Sequence, residues 1–212
     1  MTGRVRVKIC GITRLVDAAV AIDSGADAIG FVLWSASPRA VDLDAARAIA
    51  HALPPFVSRV GVFVNAPPGE VAEAVVRVGL DVVQLHGDES IEPYLGGRAR
   101  VVRSVTLASD AAMAAALALP SAVMPLVDAV DSARRGGTGQ RADWTRAADL
   151  ARCRPIVLAG GLTAENVGDA IRTVRPWAVD VSSGVEAAPG VKSPDRVRQF
   201  LAAVAAAQLE VV

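Results

Sequence analysis

The chain contains, near its start, the stretch Arg4-Val5-Arg6-Val7-Lys8-Ile9-Cys10-Gly11-Ile12-Thr13. Apolar and polar residues alternate along it, as in a β-strand whose successive side chains point to opposite faces. The two valines and Ile9 are expected on one face, and Arg6, Lys8 and Cys10 on the other. Active sites of parallel barrels lie at the carboxyl ends of the strands. If this strand belongs to such a barrel, its terminal Cys10 is a candidate for chemistry.

Seven further apolar runs follow this strand, each succeeded by a helical pattern. The eight predicted strands lie at residues 5–10, 28–33, 59–64, 81–85, 101–105, 123–128, 156–159 and 178–182. They are short and rich in Val and Ile, as buried parallel strands are. Eight strand and helix alternations predict an α/β fold, a single (β/α)8 TIM barrel that occupies residues 1–212 as one domain.

Residues at the starts of two helices support this organisation. Thr163 is predicted to cap the seventh helix, and Ser193 to cap a helix that begins at Pro194. A doubly wound open sheet is the structural alternative. The dinucleotide-binding version of that fold is disfavoured, because no G-x-G-x-x-G sequence follows the first strand.

Composition limits the classes of partner. The 212 residues include 22 Lys and Arg and 22 Asp and Glu, which give a formal net charge of zero. This balance argues against a nucleic-acid partner, which requires a basic surplus or stripe. No apolar run approaches the roughly 18 residues of a membrane span, so no membrane partner is expected. An export signal is also lacking at the start, so we expect a cytoplasmic protein with reduced Cys10 and Cys153.

Two glycine-containing turns follow the last two predicted strands. Gly160 and Gly161 come after strand seven, and Ser182, Ser183 and Gly184 come after strand eight. In (β/α)8 barrels these two loops commonly hold a phosphate group, which their exposed backbone amides contact. The pair therefore predicts a phosphate site, with two ordinary tight turns as the alternative.

Other polar side chains end strands at the same side of the predicted barrel. Asp128 ends strand six, where partial burial would raise its pKa and suit it to general acid catalysis. Arg39 follows strand two, and Gln84 and His86 share one face of strand four and are expected to line the pocket. The glycine-rich residues 129–142 could close over a ligand as a lid. No His, Cys and Asp spacing matches a metal site.

These motifs together resemble the phosphoribosylanthranilate isomerase family of tryptophan biosynthesis over essentially the whole chain. The blocks that carry the resemblance are Lys8–Thr13, Gly25–Phe31, Ser37–Arg39, Val60–Asn65, Gln84–Gly87, Gly160–Val167 and Asp180–Glu186. The resemblance implies a barrel that catalyses the Amadori rearrangement of N-(5'-phosphoribosyl)anthranilate, a small phosphosugar substrate. Cys10 would be the catalytic base, Asp128 the catalytic acid and Arg39 the contact for the anthranilate. The two glycine-containing loops would bind phosphate.

The resemblance also suggests roles for the other polar residues of the pocket. Gln84, His86 and Asp180 are assigned to substrate binding. The reaction needs no redox or metal cofactor, because the substrate nitrogen accepts the electrons. Cys10 could act as a thiolate if its pKa is lowered, and Lys8 on the same strand face could lower it.

Several alternatives stay open at this point. A histidine-pathway isomerase would be expected to carry an aspartate at the position of Cys10, and pentose-phosphate epimerases use metal and histidine ligands. Indoleglycerol-phosphate synthase is another phosphosugar barrel. A phosphate-ligand binding barrel without catalysis is disfavoured, because Cys10 and Asp128 are both present. The protein could be a monomer or a homodimer.

Overall fold

The computed structural model describes residues 4–129 and 142–209. Eight parallel strands close into a barrel in chain order, with β8 hydrogen-bonded to β1. The strands are β1 (Arg6–Cys10), β2 (Ala28–Val32), β3 (Ser58–Phe63), β4 (Val82–Leu85), β5 (Arg100–Val105), β6 (Val123–Val127), β7 (Val157–Leu158) and β8 (Ala178–Val181). The predicted TIM barrel is confirmed, with each predicted strand within two residues of its observed bounds. That the whole chain forms one domain stays a prediction.

Seven α-helices of the described residues surround the barrel. They are α1 (Leu15–Asp23), α2 (Leu43–His51), α3 (Pro68–Ala74), α4 (Asp110–Ala118), α5 (Trp144–Cys153), α6 (Val167–Val174) and α7 (Pro194–Leu209). A π-helical turn, Val75–Gly79, continues α3. Between β8 and α7 lies a short antiparallel hairpin of β9 (Glu186–Ala188) and β10 (Val191–Lys192). None of the helices in these ranges is long and apolar enough to cross a membrane.

Two local predictions are wrong. The link between β4 and β5 holds only a 3-10 turn, Glu92–Tyr94, in place of a helix. Pro93 and the following Gly96 and Gly97 leave too few residues between helix breakers for a regular helix. The second wrong prediction is that Thr163 caps a helix, because α6 begins at Val167 rather than directly after Thr163.

The local contacts explain how the two helix starts differ. Asn166 accepts the backbone N–H of Thr163 through its side chain at 2.9 Å, which forms a turn that precedes α6. The prediction for Ser193 is confirmed, because its hydroxyl oxygen accepts the backbone N–H of Arg196.

The apolar residues form two layers that follow strand alternation. Val7, Ile9, Ile29 and Phe31 pack in the large core between the strands and the helices. Side chains of the opposite parity form smaller clusters, one of Cys10, Val32 and Val62 and the other of Leu126, Val157, Ala159 and Ala178. The charged Lys8 and Asp180 are buried on this second face. The barrel interior is therefore apolar with polar groups near its mouth.

Candidate functional site

All eleven predicted site residues line one cleft of about 760 Å³, which includes space open to solvent. The cleft lies at the carboxyl ends of the strands. The residues are Cys10, Arg39, Gln84, His86, Asp128, Gly160, Gly161, Asp180, Ser182, Ser183 and Gly184. The closed barrel thus brings together side chains that are up to about 170 positions apart in the sequence.

Lys8 and Asp180 form a buried ion pair below the cleft. The two residues are register partners on adjacent strands, and the Lys8 Nζ lies 3.0 Å from Asp180 Oδ2. Their side chains are 9% and 8% exposed. Burial opposes the charge on Lys8, but Asp180 and Cys10 outweigh it, so the pKa of Lys8 is raised. The ammonium therefore stays charged beside Cys10.

Cys10 lies two residues further along β1 and is buried. Burial raises the pKa of its thiol, while the positive charges of Lys8 and Lys192 act to lower it. Lys8 thus acts in the predicted direction, but the expected lowering is not the net result in the unliganded cleft. Desolvation penalises a buried thiolate more than the neighbouring cations stabilise it. At neutral pH the unliganded group is consequently a thiol.

Asp128 follows β6 and faces His86. One carboxylate oxygen, Oδ1, accepts the backbone N–H of Ala129 at 2.8 Å, and Oδ2 lies 3.5 Å from His86 Nε2. Burial raises the pKa of Asp128, although His86 acts in the opposite direction. A carboxyl group that keeps its proton to higher pH is suited to donate it. This agrees with the direction expected for a general acid.

His86 is held between Asp128 and Gln84. Burial lowers the pKa of His86 against the influence of Asp128, which favours the neutral imidazole. The Gln84 amide nitrogen lies 3.3 Å from His86 Nδ1. When this amide nitrogen donates to Nδ1, the proton of the neutral imidazole is on Nε2, towards Asp128.

Two buried acceptors that belong to cleft residues have no hydrogen-bond partner in the described part of the chain. They are Gln84 Oε1 and Asp180 Oδ1. A buried polar atom without a partner costs about 1–3 kcal/mol, so such atoms usually mark a place for a ligand or water. Both can accept hydrogen bonds from hydroxyl groups.

The glycine-containing loops after β7 and β8 pack against each other. Gly160 and Gly161 have φ angles of +78° and +62°, a region that glycine adopts most easily. A Cβ atom on Gly184 would lie 2.0 Å from the carbonyl oxygen of Leu162, so only glycine permits this approach. Among the described groups, no hydrogen bond uses the backbone N–H of Gly160, Gly161 or Gly184. These amides can bind an anion.

Sequence reasoning assigned no role to two residues beside the cleft. Glu186 accepts two hydrogen bonds from Arg39, from Nε at 2.8 Å and from Nη2 at 2.7 Å. Lys192 donates to Glu186 Oε1 at 2.9 Å and to the Ser182 carbonyl oxygen at 3.2 Å. Glu186 was within a motif of the family, but Lys192 lies in a short hairpin with no sequence signal of burial.

The described residues do not test two predictions, the lid at residues 129–142 and the lack of a cofactor. Residues 130–141 of the predicted lid lie outside the described residues, whereas Ala129 and Ala142 at its two ends are buried. In residues 4–129 and 142–209, no group of three or more His, Cys, Asp and Glu side chains could hold a metal ion. That the reaction needs no cofactor stays a prediction.

Comparisons with known proteins agree with the motifs of the cleft. The profile of the family described as N-(5'-phosphoribosyl)anthranilate (PRA) isomerase matches residues 7–203. The N-(5'-phosphoribosyl)anthranilate isomerase of Pseudomonas fluorescens is 49% identical over 201 residues, which cover 94% of this chain and 98% of the relative.

Solved structures show the same similarity in three dimensions. One is a phosphoribosylanthranilate isomerase in complex with reduced 1-(o-carboxyphenylamino)-1-deoxyribulose 5-phosphate. It has a TM-score of 0.85 and 43% identity and covers 95% of this chain and 99% of that one. Monomers generated from the dimeric enzyme of Thermotoga maritima give a TM-score of 0.85 and 41% identity, with the same coverage. The match of the family profile to most of the chain shows that it belongs to the N-(5'-phosphoribosyl)anthranilate isomerase family.

Proposed function

We propose that the chain converts N-(5'-phosphoribosyl)anthranilate into 1-(2-carboxyphenylamino)-1-deoxyribulose 5-phosphate, a step of tryptophan biosynthesis. Its family and its named relatives support this activity. The observation that carries the mechanism is the cleft itself, where a buried thiol, a partly buried carboxyl group and two glycine-containing loops converge. The Amadori rearrangement needs one acid, one base and a phosphate anchor.

Asp128 acts first as the general acid. Its protonated carboxyl group donates to the furanose ring oxygen while the bond between that oxygen and C1' breaks. The lone pair of the anthranilate nitrogen forms the C1'=N bond, so the product of this step is an open-chain iminium ion and an Asp128 carboxylate. The raised pKa of Asp128 keeps the proton available at higher pH.

Cys10 then acts as the base. Its thiolate removes the proton from C2', and the electrons of that bond neutralise the iminium nitrogen to give an enolamine, which tautomerises to the ketone. The reactive form of the site thus has its proton on Asp128 and its negative charge on Cys10. Lys8 stabilises this thiolate, since its ammonium is buried next to it. The electrons balance within the substrate.

Four groups of residues bind the substrate in this proposal. Arg39 receives the carboxylate of the aromatic ring, and Gly160, Gly161, Ser182, Ser183 and Gly184 hold the phosphate. The unpartnered oxygens of Gln84 and Asp180 accept hydrogen bonds from the sugar hydroxyls. His86 contacts the substrate beside Asp128, because both side chains line the cleft.

Replacement of the acid or the base tests the mechanism. We expect Cys10→Ser and Asp128→Asn each to lower kcat by at least about 100-fold, within the range of general acid and base catalysis. Binding of a phosphate-containing product analogue should change little. The measurement is the fluorescence decrease as N-(5'-phosphoribosyl)anthranilate is consumed, with calorimetry for the analogue. A near-normal kcat in either variant contradicts the role of that residue.

The same assay separates the alternatives. A binding barrel without catalysis would bind the analogue and leave the substrate unchanged. A histidine-pathway isomerase would turn over its own aminoaldose phosphate far better than the anthranilate compound.

The two candidate oligomeric states of this chain are a monomer and a homodimer. A relative from Thermotoga maritima is dimeric, and Phe56 of this chain presents a fully exposed apolar side chain. Sedimentation of the wild-type protein and a Phe56→Glu variant decides between them.

A further inference from the structure

A cluster of three charged side chains, of which two are buried and one is partly buried, lies beside the cleft, apart from the acid and the base. Arg39 comes from the loop after β2, Glu186 begins β9 and Lys192 ends β10. Their side chains are 11%, 5% and 1% exposed. Arg39 lines the cleft, whereas Glu186 and Lys192 do not reach it.

The contacts fix the orientation of Arg39. Glu186 engages one edge of the guanidinium group, Nε and Nη2, through both of its carboxylate oxygens. Gly11 provides the space that this position of Arg39 requires, because an added Cβ atom there would lie only 2.7 Å from Arg39 Cδ. The edge of the guanidinium that contains Nη1 stays available for a second planar anion, since Arg has five donors in a rigid fork.

The charges of the cluster do not cancel. Two cations and one anion leave a net charge of +1 in a largely buried place. Lys192 donates to Glu186 Oε1, the same oxygen that accepts from Arg39 Nε, and also donates to the Ser182 carbonyl oxygen, so it links the cluster to the phosphate loop. An incoming carboxylate would neutralise the remaining charge, and an uncompensated buried charge is costly.

We infer that Glu186 and Lys192 are positioning residues that hold Arg39 ready for the carboxylate of the substrate's aromatic ring. Selectivity for a ring that carries this carboxylate then depends on Glu186 and Lys192, although neither residue contacts the ring. The inference rests on the proposed function, because it takes the anthranilate ring to lie at Arg39. It adds a role for residues to which the mechanism assigns none.

The test compares two ligands that differ only in the ring carboxylate. One is reduced 1-(o-carboxyphenylamino)-1-deoxyribulose 5-phosphate, and the other is the same compound with an unsubstituted phenyl ring. Wild-type protein should bind the first roughly 10- to 100-fold more tightly, as expected for charge-assisted hydrogen bonds. Glu186→Gln places an amide N–H against the guanidinium donors, so this affinity ratio should fall about tenfold.

Further variants distinguish positioning from a structural role. Glu186→Asp keeps the charge and should give an affinity ratio between those of wild type and Glu186→Gln. If Glu186→Gln does not fold, Glu186→Asp takes its place in the test. Glu73→Gln is the matched control, because Glu73 forms an exposed ion pair with Arg77, and its ratio should equal that of wild type. In an Arg39→Leu background, Glu186→Gln should leave the ratio unchanged.

The outcomes are distinct. Equal weakening of both ligands by Glu186→Gln, with the ratio preserved, overturns the inference, as does an effect of Glu186→Gln that persists without Arg39. Failure of the wild-type protein to isomerise N-(5'-phosphoribosyl)anthranilate would instead overturn the proposed function, and the inference with it. Normal turnover together with a wild-type affinity ratio near one overturns the inference and the proposed contact between Arg39 and the ring carboxylate, but leaves the proposed reaction standing.

Discussion

At the scale of single residues, Cys10 shows burial and charge in competition. Since burial raises the pKa of the thiol, its alkylation by iodoacetamide should be slow at pH 7 and should still be increasing with pH above the ordinary thiol pKa of about 8.5. A Cys153→Ser variant isolates Cys10, and mass spectrometry gives the rate at each pH. The Cys10→Ser protein reports exposed Cys153 alone. A Cys10 rate that is already constant by about pH 8 contradicts a raised pKa.

Gly30 on β2 provides the space for this thiol. An added Cβ atom would lie 3.0 Å from Cys10 Sγ and 3.0 Å from Lys8 Cε. We therefore expect Gly30→Ala to displace both side chains and to lower kcat at least about tenfold, because small misplacements of reacting groups are costly. Gly69→Ala is the control, since open space surrounds Gly69. Steady-state kinetics of the two variants measures the difference, and equal kcat values would contradict this role of Gly30.

The sequence could predict the residues whose position follows from strand parity. Lys8 and Cys10 share a face because they are two residues apart on one strand, and the structure places both on the inner side. The cluster around Arg39 could not be predicted in the same way. Glu186 lies 147 residues from Arg39, and burial of a charged side chain depends on a partner that only the closed barrel supplies.

At the scale of elements, Arg154 joins the end of α4 to the strand that follows. Its guanidinium group donates to the carbonyl oxygens of Ala116, Leu117, Leu119, Pro120 and Val123 at 2.7–3.4 Å. The last carbonyl groups of a helix lack partners within it, so this side chain satisfies groups that would otherwise be unpaired. Arg154 thereby holds α4 and the start of β6 in their relative positions.

Removal of this side chain should therefore destabilise the protein. We expect Arg154→Ala to lower the free energy of unfolding by about 1 kcal/mol or more, because three part-buried carbonyl oxygens lose a hydrogen-bond donor. Arg152→Ala is the control: Arg152 is 73% exposed and, among the residues that the structure describes, forms an ion pair with Asp149, so its effect should stay within about 0.5 kcal/mol. Urea unfolding measures both. Equal effects of the two substitutions would contradict the role given to Arg154.

The elements also show where sequence patterns are insufficient. Hydrophobic runs located all eight strands, because buried parallel strands are almost uniformly apolar. Pro93 and two glycines indicate that no helix forms between β4 and β5, whereas the regular alternation of strands and helices in a barrel predicts one. Thr163 has the right residue type for a cap, and only the geometry shows that the chain makes one more turn before α6.

At the scale of the whole molecule, the barrel concentrates its desolvated reactive groups at one end. Apolar packing around the strands stabilises the fold, while burial at the mouth raises the pKa values of both Cys10 and Asp128. At neutral pH, burial of Asp128 lowers the free energy of unfolding more than burial of Cys10 does, because the Asp128 carboxyl group is ionised in the unfolded chain. Sites adapted for catalysis commonly lower the stability of the fold in this way.

The stability of an Asp128→Asn variant tests this cost. The folded state binds the Asp128 proton more tightly than the unfolded chain does, so the free energy of unfolding decreases as pH rises from the ordinary pKa of 3.8 through the raised one. Asn keeps an oxygen for the Ala129 N–H and has no charge to desolvate. The variant should therefore be more stable than wild type at pH 7, and this advantage should disappear below about pH 3, where both states are protonated. Urea unfolding at several pH values, with Asp149→Asn as the exposed control, measures the difference. A variant that is less stable at pH 7, or a difference independent of pH, would show that burial of Asp128 does not cost the fold stability.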